Sequence, residues 1–172
     1  MSGDTLFIKR NRPVTALIEA SYTRPADTAT YAAGDVIANS TSAATILTFT
    51  GVAREPGLGG IIQSAVLVDS AAQTLKGDFE LYLFDTAPAM QNDNAAWNPS
   101  DSEVTKSLGR VRFPPGLFNV CGANGVVDVD SLGKPFKCAS GTRNIFGILV
   151  VRNAYVPISG EVFTIRLFVI QD

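Results

Sequence analysis

The sequence predicts an all-β protein, and within that class an antiparallel β-sandwich of the jelly-roll type. Short segments rich in Val, Ile, Thr and Phe recur along the chain, with turn residues between them. Only one short segment carries a helix signature. Eight or nine strands, with a long strand at the C-terminal end, are typical of a jelly roll.

The strands are justified by alternation of side chains and by the turns that bound them. Residues 78–85 give the clearest pattern, because Phe79, Leu81 and Leu83 alternate with the side chains of the opposite face. The predicted strands cover residues 35–38, 45–50, 60–69, 78–85, 109–113, 125–130, 134–138, 144–151 and 162–170.

The single predicted helix begins within residues 100–103, with Ser100 or Ser102 as its N-cap. Serine is a favoured N-cap residue, and the acidic residues Asp101 and Glu103 stabilise the first turn of a helix. We expect one or two turns, ending by Leu108.

The N-terminal segment differs from the rest of the chain. The residues before Pro13 and Pro25 favour extended backbone, because the position before a proline avoids the helical region. We therefore predict an extended N-terminal arm at residues 1–30 and a jelly-roll domain at residues 31–172. The alternative, that residues 14–20 form an edge strand of the same domain, is equally consistent with the sequence.

Composition excludes several classes of function. The chain has 172 residues, 46% of them hydrophobic and 17% charged, with a net charge of -2 and no histidine. Catalysis by Ser-His-Asp or Cys-His, and metal sites built on histidine, are therefore excluded. The nearly balanced charge argues against a general nucleic-acid binder. The apolar run at residues 145–151 is too short to span a membrane.

The other ligand and compartment signals are weak. The N-terminus has no pattern of a secretory signal, so we expect synthesis in a cytoplasm and free thiols at Cys121 and Cys138. Asp128 and Asp130 share a strand face but lack the ligand spacing of a calcium loop. We expect no metal, no cofactor and no catalytic residue.

Two groups of residues are predicted to contact a partner protein. The first is the basic set near the N-terminus, since the neutral-to-acidic remainder of the chain favours contact with protein. The second is Trp97, the only tryptophan, which we expect to plug an oligomer contact. The predicted contact residues are Lys9, Arg10, Arg12, Arg24 and Trp97.

Two predicted strands, residues 78–85 and 162–170, carry apolar side chains on both faces. One face fills the sandwich, and the other needs a partner subunit. Phe84 and Phe168 are two side chains for which we expect such burial.

Several phrases of the sequence resemble a known family. They include residues 31–37, 79–88, 158–161 and 169–172, and the resemblance covers roughly residues 30–172. These phrases look like those of small tailed-bacteriophage virion proteins, some of which resemble the jelly-roll cement, or decoration, proteins that trimerise on capsids.

The resemblance implies a structural, non-enzymatic protein on the outside of a phage capsid. Its expected partners are the major capsid protein and itself, as a homotrimer, with no nucleic acid and no membrane. The alternative is a tail or baseplate jelly-roll module that binds a host glycan through Trp97, Tyr82 and the loop at residues 92–94. An enzyme acting on carbohydrate through paired carboxylates is the third hypothesis.

Overall fold

Two antiparallel β-sheets packed face to face form the structure, a computed structural model that describes residues 13–172. In chain order the strands are β1 Val14–Thr23, β2 Val36–Ile37, β3 Leu47–Phe49, β4 Gly59–Asp69, β5 Phe79–Phe84, β6 Ser107–Phe113, β7 Asn119–Cys121, β8 Asn124–Val129, β9 Lys134–Lys137, β10 Ile145–Val151 and β11 Val162–Gln171. A short helix, α1 (Asp101–Val104), and a 3-10 turn at Pro115–Leu117 complete the described elements.

The strand order is that of a jelly roll. The first sheet runs β1-β11-β4-β8-β7, with β9 also paired to β4. The second runs β2-β10-β5-β6, with β3 also paired to β10. The first strand therefore lies beside the last, and successive strands cross between the sheets, as in a double Greek key. The predicted fold class is confirmed.

The main core lies between the two sheets. Phe79 of the second sheet packs edge-on against Phe163 of the first, with ring centroids 5.3 Å apart. The inward residues of β11, such as Ile165 and Leu167, are fully buried opposite Leu81 of β5 in the same cluster. Burial of these large apolar side chains is the main source of the stability of the sandwich.

The segment at residues 14–23 is an edge strand. All ten residues of β1 pair with β11, from Val14 opposite Gln171 to Thr23 opposite Val162. Of the two interpretations of this segment, the strand is the one found, so the sandwich begins at Val14 rather than at residue 31. Residues 1–12 lie outside the described part of the chain.

A second, smaller cluster lies on the outer side of the second sheet. Its buried members are Val36, Ala38, Ile148 and Val150. The loop between β5 and α1 crosses this side, and its Met90 and Trp97 pack on the cluster. The chain thus covers part of its own second sheet.

Candidate interaction surfaces

Arg24, one of the predicted contact residues, lies inside the fold. Its side chain is fully shielded from solvent, and its guanidinium lies 3.2 Å from the Asp93 carboxylate. It also donates a hydrogen bond to the Tyr31 hydroxyl and stacks on that ring. A side chain held in this way has no surface to offer a partner, so the prediction for Arg24 is corrected.

Asp93 is the centre of this buried cluster. Besides Arg24, it accepts hydrogen bonds from the Tyr31 hydroxyl at 2.6 Å and from the Ala38 backbone N–H at 2.8 Å. Burial and the hydrogen bond to Asp93 raise the pKa of Tyr31 well above its usual value. Asp93 is only 6% exposed. It is therefore not accessible to a glycan, although the glycan-binding hypothesis uses the whole loop at residues 92–94.

A second buried polar cluster adjoins the first. The Tyr155 hydroxyl donates to the Glu161 carboxyl at 2.5 Å, and the Tyr155 ring stacks on Tyr31 at 6.2 Å. Glu161 also hydrogen-bonds with Asp69, a fully buried carboxylate that lies 3.2 Å from the Lys76 ammonium. Two carboxyl groups, a tyrosine and a lysine therefore meet at one end of the sandwich.

The environment of Glu161 favours its protonated form. Burial raises its pKa, and the hydrogen bond with Asp69 and the charge of Asp69 raise it further, to about 8. Burial also raises the pKa of Tyr155 far above its usual value, with the carboxylates of Asp69 and Glu161 adding to the shift. Protonation of Glu161 relieves the repulsion that two neighbouring buried carboxylates exert when both are charged.

Trp97 lies at the surface of the second sheet and packs within its own chain. Its ring is 6.3 Å from that of Tyr82 and 6.2 Å from that of Phe84. A notch of about 70 Å³ opens beside it, next to Val104. The side chain is half-buried by intramolecular contacts, and its contact with a partner protein stays a prediction.

Glu80 forms a group of ion pairs on this side of the second sheet. Glu80 accepts hydrogen bonds from Arg152 at 2.7 Å and from the Tyr82 hydroxyl at 2.9 Å, and Arg110 lies 3.3 Å away. Burial raises the pKa of Glu80, but these hydrogen bonds lower it more, so the group stays ionised. The carboxylate is fully engaged in structural contacts.

The outer side of the first sheet is open and carries exposed apolar side chains among polar ones. We call it the open face and define it by Leu17 and Glu19 of β1, Ile61 of β4, and Arg166 and Phe168 of β11. Leu17 is 44% exposed, Ile61 39% and Phe168 37%. Within residues 13–172, neither buried cluster includes a side chain of this face.

Within this chain, burial on both faces is found for β5 but not for β11. Phe84 on β5 is 1% exposed, because the chain itself covers that side of the second sheet. Phe168 on β11 remains exposed. The alternation of residues 162–170 was the sequence signal for the open face; Leu17 and Ile61 were not singled out, since their exposure depends on which strands pair.

The remaining predicted residues are placed as follows. Lys9, Arg10 and Arg12 lie outside the described residues. Cys121 is exposed and Cys138 is buried, and both thiols are free. Among residues 13–172 no cluster of acidic and cysteine side chains has the arrangement of a metal site. No helix in that same range is long and apolar enough to cross a membrane.

Comparison with known proteins gives a weak resemblance to viral capsids. The capsid of Helicobacter pylori bacteriophage KHP30 superposes with a TM-score of 0.30 and 12% identity, over 91% of this chain and 87% of that one. Turnip yellow mosaic virus gives a TM-score of 0.28 and 9% identity, over 92% and 80% of the two chains. No protein-family model and no curated protein matches the sequence.

Proposed function

We propose that the protein is a structural component of a bacteriophage virion that binds the outside of the capsid and cements neighbouring capsid subunits. It acts through binding energy rather than chemistry, because area buried between subunits resists their separation when packaged DNA presses outward. Its partners are the major capsid protein and further copies of itself, as a homotrimer. It is made in the host cytoplasm and resides on the capsid surface, where it binds no nucleic acid or membrane.

The observation that carries the proposal is the open face, because a cement protein works by joining protein subunits, its own copies included. Exposed apolar side chains grouped on one face of a sheet are typical of a contact with another protein. The jelly roll is used by viral capsid proteins but also by lectins and cupins, so the fold alone does not decide the function. The sequence phrases that resemble virion proteins favour the first of these uses.

The arrangement of three buried acidic residues supports a non-enzymatic role. Glu80 is held by Arg152 and Arg110, Asp93 by Arg24, and Asp69 by Lys76. Carboxylates engaged in this way stabilise the fold and are not free to act as an acid and base pair on a sugar.

The proposal is tested by adding the purified full chain to particles of the encoding virus that lack it. We expect the chain to sediment with the particles and to raise the temperature at which a dye reaches the packaged DNA. A chain that does not bind, or that binds without changing the release temperature, would contradict a cementing role.

The glycan-binding alternative makes a different prediction in a host-cell binding assay. It requires that Trp97→Ala abolish binding to the host surface. Leu117→Ala, at a side chain 54% exposed outside the Trp97 notch, is the matched control and must leave that binding intact. We expect no binding to host cells by either variant or by the original chain.

A further inference from the structure

The two sheets differ in how their outer sides are covered. Met90 and Trp97, on the loop between β5 and α1, pack over the second sheet and form a cluster with Ile148 and Val150. Among the described residues the first sheet has no equivalent cover. The open face is therefore an apolar surface that the described part of the chain leaves available.

The open face has the shape and chemistry of a protein contact. Leu17 and Phe168 lie directly opposite each other on neighbouring strands, and Ile61 lies opposite Ile170. A groove of about 310 Å³ runs along the face. Its lining residues are Thr15, Ala16, Leu17, Gln63, Phe168, Val169 and Ile170.

The open face carries one acidic and one basic side chain, so its charges can complement those of a second copy. Glu19 and Arg166 are cross-strand neighbours, with Glu19 Oε2 3.5 Å from Arg166 Nε. The two side chains keep 55% and 39% of their surface exposed, so neither is saturated by the other. Arginine has five donors in a fixed geometry, enough to bind a second carboxylate. A face with one acid and one base beside apolar side chains fits another copy of itself better than a phosphate backbone.

We propose that the open face is the surface through which copies of this chain associate. In a ring of three, the open face of each copy points toward the threefold axis, so that Leu17 and Phe168 contact the neighbouring copies and Glu19 of one copy lies beside Arg166 of the next. The inference deepens the proposed function and rests on it for the ring of three. The surface itself is defined without reference to a capsid.

The rival occupant is the N-terminal segment of the chain. Residues 6–8 are Leu, Phe and Ile, and residues 9–12 include three basic side chains. We favour a second copy of the face, because the Glu19–Arg166 pair gives it a neutral surface that a basic segment does not match. Deletion of residues 1–12 separates the two, since this deletion leaves every strand of the sandwich in place.

The first test is sedimentation equilibrium of the purified full chain and of Phe168→Asp. A carboxylate at this position removes the apolar ring from the contact and attracts the nearby Arg166 guanidinium away from the neighbouring copy, so we expect the variant to associate about tenfold more weakly or worse. Leu75→Asp is the matched control, since Leu75 is 83% exposed and not part of the open face. We expect the control to associate like the original chain, and all three proteins to retain the same β-sheet circular dichroism.

The second test exchanges the two charges. Glu19→Arg alone and Arg166→Glu alone each place like charges together in the ring, and we expect each to weaken association. The double variant restores opposite charges, so we expect it to associate nearly as well as the original chain. Because the exchange also restores the pair within one chain, a mixture of the two single variants isolates the contact between copies, and we expect the mixture to associate better than either variant alone.

The outcomes separate the surface from the proposed function. A monomeric original chain, or a Phe168→Asp variant that associates normally, would overturn the inference. Association lost on deletion of residues 1–12 would also overturn it, because that segment would then occupy the groove. A dimer that Phe168→Asp dissociates would uphold the surface and contradict the homotrimer. A trimer that obeys every expectation but does not bind capsids would contradict the proposed function alone.

Discussion

Arg24 and Asp93 form an ion pair whose two side chains are almost completely shielded from water. Such a pair adds little net stability over apolar residues, but removing one partner leaves the other charged, buried and uncompensated. Here the remaining carboxylate would keep only the hydrogen bonds from Tyr31 and from the backbone of Ala38.

We therefore predict that Arg24→Met lowers the free energy of unfolding by about 3–5 kcal/mol. The matched control is Arg143→Met, at an exposed side chain that donates to the backbone carbonyl of Arg54 at 3.2 Å. An exposed hydrogen bond of this kind contributes about 1 kcal/mol, so the control should be nearly neutral. Urea unfolding measures both, and equal effects would contradict the structural role of Arg24.

Glu161 gives the fold a pH dependence with a definite sign. Its pKa rises from 4.5 in the unfolded chain to about 8 in the fold, so the native state holds a proton that the unfolded chain releases. Its contribution to stability is complete below pH 4.5 and is lost as the pH rises to about 8. The chain has no histidine, so no histidine side chain titrates in the same window.

We predict that thermal stability falls between pH 5 and 8 and that Glu161→Gln removes most of this slope. Glutamine keeps the size of the side chain and offers Asp69 a neutral N–H donor at every pH. The change in melting temperature with pH, followed by circular dichroism for both proteins, is the measurement. A slope that is the same in the two proteins would show that another group is responsible.

At the scale of elements, β1 decides how much of the N-terminus is part of the fold. Its ten residues pair with β11, and its Tyr22 hydroxyl donates to the Ile37 carbonyl at 2.8 Å. Removal of β1 would expose one edge of β11 and the inward side chains beneath it. Removal of residues 1–12 touches none of these contacts.

We predict that deletion of residues 1–12 leaves the melting temperature within a few degrees of that of the original chain. Deletion of residues 1–23, which removes β1, should prevent folding or lower the melting temperature strongly. The basic residues Lys9, Arg10 and Arg12 go with the shorter deletion, so capsid binding should weaken although the fold is intact. Unchanged binding would exclude the N-terminal segment from the capsid contact.

Strands could be predicted where the alternation of apolar side chains lies within the residues of the strand itself. Residues 60–69 and 78–85 alternate, and the structure has β4 at Gly59–Asp69 and β5 at Phe79–Phe84. The helix start at Ser100 was also predicted, because its cap and its acidic residues are adjacent in the sequence. β7 was missed, because its three residues are all exposed and carry no alternation.

The buried polar groups were not predictable in this way. Arg24 was predicted to lie on the surface because the sequence shows only that it is charged. Its buried partner, Asp93, lies far along the chain, so the sequence does not show that the two meet. The meeting of Asp69 with Glu161 likewise depends on the pairing of β4 with β11. Composition and periodicity identify which side chains are polar, but the sheet topology decides which of them meet.

For the whole molecule, the contrast between the two sheets is the basis of the functional account. One outer side is covered by the chain's own loop, and the other is open, carries exposed apolar side chains and is electrically neutral around Glu19 and Arg166. This asymmetry fits a protein whose first sheet joins it to further copies. The capsid contact would then use other parts of the surface, the N-terminal segment among them.

The central claim, a cementing role on a capsid, is tested most directly by the copy number of this chain in purified particles of the encoding virus. Quantitative mass spectrometry gives that number relative to the major capsid protein. The account predicts a ratio near one chain per capsid subunit, as expected for a protein that covers the lattice. A few copies per particle, or none, would contradict it.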